Sequence, residues 1–252
     1  MFKPFSLERK TIIVTGASSG IGRQCAIDCS KMGAKVILIG RNQKRLDETL
    51  SMLDNNIHQT YNYDLTQIDG IKNLVNEIVD SNGKINGLIH AAGIEITKPL
   101  KLLEPDDYEV IYRTNNLSGF ELVRQLSSIK NMDKGGAIIF ISSITAIIGR
   151  AGVAAYAASK GALISATKSY ALELAKRKIR INCISPGTIL TPMMQNYLKD
   201  LDEESYKKRV EGFPLGLGDT TDISLASIYL LSNASRWITG QNFIIDGGYT
   251  IK

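Results

Sequence analysis

The stretch Thr11-Ile12-Ile13-Val14-Thr15-Gly16-Ala17-Ser18-Ser19-Gly20-Ile21-Gly22 decides how this chain folds. Residues 11–15 are apolar and β-branched and stop at Gly16, the pattern of a short buried strand. The glycines that follow let the backbone turn sharply and approach a bulky ligand closely. Residues 21–32 read as a helix, with Gly33 as its C-cap. A helix starting at such a turn aims its unpaired N–H groups and positive dipole end into it, which suits a pyrophosphate. Ser18 and Ser19 add hydroxyl donors. The spacing is G-x-x-x-G-x-G, which differs from the common G-x-G-x-x-G dinucleotide fingerprint.

Outward from this turn, strands alternate with helices. Strands are expected at residues 35–39, 57–62, 85–90, 137–141, 179–183 and 243–245. Helices are expected at 43–53 and 68–79, and long helical stretches fill 106–129 and 154–176. Near-continuous apolar strands joined by helical crossovers imply a parallel sheet covered on both faces. The expectation is therefore an α/β chain: a Rossmann-type, doubly wound parallel sheet of about seven strands, in a single domain over residues 1–252. Residues 190–217, rich in Pro and Gly, read as an irregular substrate loop.

The 252 residues are 44% hydrophobic and 22% charged, ordinary for a globular chain and unlike a disordered or disulfide-scaffold one. The net charge of +5 fits acidic or phosphate-bearing ligands but is too small and scattered for nucleic acid. Cys25, Cys29 and Cys183 have no metal-ligand spacing and read as small core residues, which suits a reducing cytoplasm. His58 and His90 stand in no metal or Ser-His-Asp context, so no metal is expected. Residues 1–10 lack the apolar core of a signal peptide, and the uncharged run 135–149 is too short to span a bilayer, so no membrane partner is expected.

Tyr156 and Lys160 are four apart, which puts them on one face of a helix, one turn apart. A carbonyl that receives hydride needs a proton on its oxygen, and a phenol next to an ammonium is a donor with a lowered pKa. Ser143 lies thirteen residues before Tyr156, just past the strand at 137–141, where ligands of open α/β sheets bind. Its neighbour Ser142 is the competing candidate. The second strand ends in Gly40-Arg41. An acidic side chain there selects NAD through the ribose 2′-hydroxyl, whereas an Arg accommodates the 2′-phosphate of NADP.

These motifs, in this order, make residues 8–249 resemble the classical short-chain dehydrogenases/reductases, and within them 3-oxoacyl-carrier-protein reductases. The resemblance implies that Gly16, Ser18, Ser19, Gly20, Ile21 and Gly22 form the cofactor turn, and that Asp64 and Leu65 contact adenine. His90-Ala91-Ala92-Gly93 resembles the family's Asn-Asn-Ala-Gly, with His90 and Ala91 in place of the two Asn. Gly40 occupies the position of the NAD-selecting Asp, so NADP is expected over NAD, with Arg41 on its phosphate. Asn115 is implied as a proton-relay residue, with Asn116 as the alternative, and the catalytic set is then Asn115, Ser143, Tyr156 and Lys160. Pro186, Gly187, Ile189 and Thr191 are implied at the nicotinamide, and Tyr156 and Lys160 at its ribose. The closing Asp246-Gly247-Gly248 is another family mark.

The activity implied is hydride transfer between the nicotinamide and a small ketone or secondary alcohol, whose identity stays open. A carrier-bound substrate would meet Lys134 and Arg177. A nucleotide-binding protein without turnover would show a gap in the catalytic set, and the sequence shows none. A cytoplasmic homotetramer is the implied assembly.

Overall fold

The computed structural model describes residues 3–251. Seven strands, β1 (Thr11–Thr15), β2 (Lys35–Gly40), β3 (Gln59–Asn62), β4 (Ile85–His90), β5 (Met132–Ile141), β6 (Arg180–Pro186) and β7 (Asn242–Ile245), form one sheet in the order β3-β2-β1-β4-β5-β6-β7. Every neighbouring pair is parallel. The helices are α1 (Gly20–Lys31), α2 (Gln43–Leu50), α3 (Ile71–Asn82), α4 (Pro105–Tyr112), α5 (Ser118–Leu126), α6 (Ala154–Leu174), α7 (Pro192–Lys199), α8 (Glu203–Glu211) and α9 (Thr220–Leu231). This is the Rossmann-type α/β sheet that the sequence implies.

The central strands carry apolar residues on both faces. On β1, Ile12 and Val14 enter one core cluster and Ile13 the other; on β2, Val36 and Leu38 separate in the same way from Ile37 and Ile39. The first cluster is closed by Cys25, Ala26 and Cys29 of α1 and by Ile223, Leu230 and Leu231 of α9. The second is closed by residues of α3, α5 and α6, among them Leu74, Leu122 and Leu163. Each fully buried Ile or Leu contributes roughly 1.5–3 kcal/mol, so both layers are tied to the sheet by many such residues. The three cysteines are free and buried inside these layers.

Two segments differ from the sequence-based expectation. Residues 106–129 are broken: α4 and α5 are joined by a π turn, Arg113–Leu117. Residues 190–217 are folded into α7 and α8, capped by the side chains of Thr191 and Asp202. Among the described residues, no helix is long and apolar enough to cross a membrane.

The chain order places β2 and β3 to one side of β1, and β4 through β7 to the other. Ligands of such sheets bind in the crevice at the carboxyl ends of the strands, where the order reverses.

Candidate active site

A cleft of about 700 Å³ opens at that point. Its floor is the glycine turn. Gly16 holds a φ of +65°, and a Cβ there would lie 2.9 Å from the Ala92 nitrogen; a Cβ on Gly22 would lie 2.4 Å from the Gly16 oxygen. Only glycine permits strand, turn and helix to close this tightly. Ser19 is the N-cap of α1, but its side chain makes no capping bond, which leaves N–H groups at the helix start available to a ligand. Arg23 braces the turn from behind by donating to the Ser18 carbonyl at 2.7 Å. A cradle of free amides at a positive dipole end fits the pyrophosphate of a dinucleotide.

Beyond β2 the cleft is lined by Arg41, Arg45, Asp64, Leu65 and Thr66. Arg41 and Arg45 are both exposed. Asn42 caps α2 by accepting from the Arg45 amide at 3.0 Å. Arg45 is a cation of the cleft that the sequence reading does not single out. Asp64 accepts from the amide and hydroxyl of Thr66, so this carboxylate stabilises its own turn.

Ser143, Tyr156 and Lys160 line the same cleft. The Lys160 Nζ lies 5.6 Å from the Tyr156 ring centroid and donates to the Ile141 carbonyl at 2.8 Å. Ser143 accepts from the amide and hydroxyl of Thr145 at 3.2 and 3.0 Å. Both serines line the cleft, but Ser142 is buried and donates to the Lys160 carbonyl, so it ties β5 to α6, whereas Ser143 makes no bond to α6.

Burial pushes the Tyr156 phenol up to about 12, with Glu95 adding to the rise, while Ser143 and Arg150 oppose it. Burial brings the Lys160 ammonium down to about 8. The sequence argument had Lys160 lowering the Tyr156 pKa. Burial is the largest influence on the phenol, and the Lys160 ammonium is engaged by the Ile141 carbonyl.

Asn115 and Asn116 lie on the π turn, both fully buried. Asn115 accepts from the Ile94 amide at 2.8 Å and donates to the Ile94 carbonyl and the Ser159 hydroxyl. A Cβ on Gly93 would lie 3.2 Å from the Lys160 Nζ and 3.3 Å from the Asn115 Oδ1, which puts both groups against one glycine at the cleft. Asn116 donates to the Ser159 carbonyl, and its oxygen has no partner.

His90, expected at the cofactor, is buried and does not line the cleft; Ala91 does. The imidazole pairs with the Thr15 hydroxyl at 3.0 Å and lies 3.4 Å from the Ser118 hydroxyl. It therefore joins β4 to β1 and α5. Burial, with the Lys160 charge adding to it, brings its pKa down to about 3.

At the far end Pro186, Gly187, Ile189 and Thr191 follow β6 into the cleft. Thr191 packs on the glycine turn, since a Cβ on Gly20 would lie 3.2 Å from its methyl. The cleft also carries residues the sequence did not single out. Glu95 and Arg150 form an ion pair between the loops after β4 and β5. Arg209 reaches in from α8. Arg177, considered for carrier docking, donates to the carbonyls of Ser127 and Met132 and so braces the start of β5.

Residues 16–250 match the family model described as Enoyl-(Acyl carrier protein) reductase. A 3-oxoacyl-[acyl-carrier-protein] reductase of Thermotoga maritima is 32% identical over 97% of this chain and 99% of its own length. A solved structure described as a short-chain alcohol dehydrogenase of Sinorhizobium meliloti superposes with a TM-score of 0.93 at 28% identity, covering 99% of this chain and 100% of its own. Another, described as an NAD(P)-dependent gluconate 5-dehydrogenase of Beutenbergia cavernae and holding NADP at low occupancy, gives 0.89 at 28% identity, with coverages of 99% and 100%. The chain belongs to the short-chain dehydrogenase/reductase family. It is an NAD(P)-dependent oxidoreductase.

Proposed function

We propose that this chain is an NADP-preferring reductase of a small ketone, or in reverse a dehydrogenase of the secondary alcohol. The observation that carries this reading is the joining of Ser143, Tyr156 and Lys160 with the uncapped glycine turn in one cleft. The nicotinamide, when bound, supplies or accepts the hydride. Ser143 holds the carbonyl oxygen beside the Tyr156 hydroxyl, and Tyr156 gives that oxygen its proton. Lys160 would hold the ribose, and its ammonium, 5.6 Å from the Tyr156 ring centroid, favours the phenolate. Asn115 keeps the Ile94 loop and Ser159 in place beside Lys160 and sustains the proton relay.

The preference for NADP rests on two cations and no carboxylate at the end of β2. Arg41 and Arg45 border the space where the 2′-phosphate belongs, and Gly40 offers no side chain to a free 2′-hydroxyl. The substrate classes of the relatives differ, so a 3-oxoacyl thioester and a sugar-derived ketone are both to be tried. Compartment and assembly are proposed as a cytoplasmic homotetramer.

The test is a panel of ketones, sugars and 3-oxoacyl thioesters followed by nicotinamide absorbance with each cofactor. Turnover with NADPH favoured over NADH is expected. The double variant Arg41→Ala/Arg45→Ala should weaken NADPH binding by about 1.5–3 kcal/mol per lost charge-assisted bond and leave NADH nearly untouched. Equal losses for both cofactors would remove the assignment to NADP.

A further inference from the structure

Arg209 is a cation of the cleft that no part of the mechanism above uses. It shares the wall with Thr188, Asn196, Phe213 and Tyr249. One terminal nitrogen donates to the Thr188 hydroxyl at 3.0 Å, and the guanidinium carbon lies 5.9 Å from the Tyr197 ring centroid. Its Nε is buried with no hydrogen-bond partner. Among the described residues no carboxylate lies within ion-pair distance of it. Arg150, by contrast, is neutralised by Glu95.

A guanidinium is costly to shield from water without an acceptor for its N–H groups, and its planar fork matches carboxylate and phosphate oxygens. The position of Arg209 decides which anion this is. Its partner Thr188 follows β6, whereas Arg41 and Arg45 follow β2, on the other side of β1 and β4. The phosphate at the adenosine end is therefore out of its reach. It stands instead after β6, which pairs with β5, the strand that runs into Ser143.

We infer that the substrate is an anionic carbonyl compound or the matching hydroxy acid, whose carboxylate or phosphate is bound by Arg209. The inference rests on the oxidoreductase reading of this cleft. The Nε is the unfilled donor, Thr188 fixes the guanidinium plane, and Tyr197 carries its face. Charge and strand order then agree on one ligand class: a small molecule with a carbonyl at Tyr156 and an acidic group toward α8.

Two matched pairs test it with NADPH: 4-oxopentanoate against its methyl ester, and dihydroxyacetone phosphate against dihydroxyacetone. In the wild type, kcat/KM for one anion should exceed that for its neutral partner by about tenfold or more, and the pair that responds tells carboxylate from phosphate. Arg209→Gln should lower that ratio about tenfold, mostly through KM, and Arg209→Lys should restore part of it. No preference for either anion overturns the inference, as does a preference that survives in Arg209→Gln. A parallel loss for both members of a pair also overturns it, because Arg209 would then be only a brace of α8. Should none of the four turn over, calorimetric titration of the two anions onto the enzyme–NADP complex decides: binding lost in Arg209→Gln supports the inference and no binding overturns it. The oxidoreductase reading fails separately, only if the wider panel above gives no turnover with either cofactor.

Discussion

Under the proposed function Tyr156 is the proton donor, with its hydroxyl beside Ser143. Removing only the hydroxyl, in Tyr156→Phe, keeps the ring and should lower turnover by about a hundred- to ten-thousand-fold, the usual loss of a general acid. Fluorescence titration should still show cofactor binding, since the glycine turn and Lys160 are untouched; near-normal turnover would refute the role. His90 acts through stability. Its pKa falls from 6.5 to about 3 on folding, so the unfolded chain binds more protons between those values. The stability it contributes is complete above pH 6.5 and is lost as pH falls below it, at up to about 1.4 kcal/mol per pH unit. Urea unfolding at pH 7, 6 and 5 should therefore show a decline that His90→Asn flattens. An unchanged slope in that variant would assign the decline to other groups.

At the level of elements, the π turn is what lets Asn115 and Asn116 both face α6. An unbroken helix would rotate adjacent residues apart by a full step, whereas the extra residue of a π turn re-aims one of them. Asn115→Ala should destabilise the fold by about 1–3 kcal/mol, because it strips the half-buried Ile94 amide of its acceptor, and turnover should fall with it. Asn116→Ala should cost less, since its oxygen already lacks a partner. Urea unfolding with parallel assays separates the two, and equal effects would deny Asn115 its special place. The π turn itself had no signal in the hydrophobic spacing, for it moves the register by one residue without changing which residues are apolar. The glycine turn and the Tyr156–Lys160 pair were legible because each is local: a few consecutive residues contain the whole feature. Helices α7 and α8 were not. α8 buries none of its residues, so no apolar stripe marks it, and only its Asp202 cap announces it. Arg45, Arg209 and the Glu95–Arg150 pair were invisible for a different reason. Their meaning lies in what the fold brings next to them, and a surface arginine in the sequence looks the same as one in a cleft.

Across the whole molecule, two faces carry exposed apolar side chains that a single chain leaves uncovered. On the face of α4 to α6 these include Tyr112, Leu117 and Leu172, the last 79% exposed. On the other, β7 is an edge strand with unpaired backbone groups and an exposed Ile244, and Trp237 is 91% exposed. Natural proteins cover or pair such edges, and patches of this kind mark interfaces. Two self-complementary faces close into a dimer of dimers, which is the geometry of a symmetric tetramer. Light scattering across micromolar concentrations should give about four times the chain mass. Leu172→Glu leaves the monomer core intact, because the side chain is already in solvent, and should halve the assembly to a dimer held by β7. A charge at the second face, Ile244→Lys, should give the complementary dimer, and the two together a monomer. A wild type that scatters as a monomer throughout would refute the assembly. A tetramer that survives Leu172→Glu would move its first interface off the face of α4 to α6.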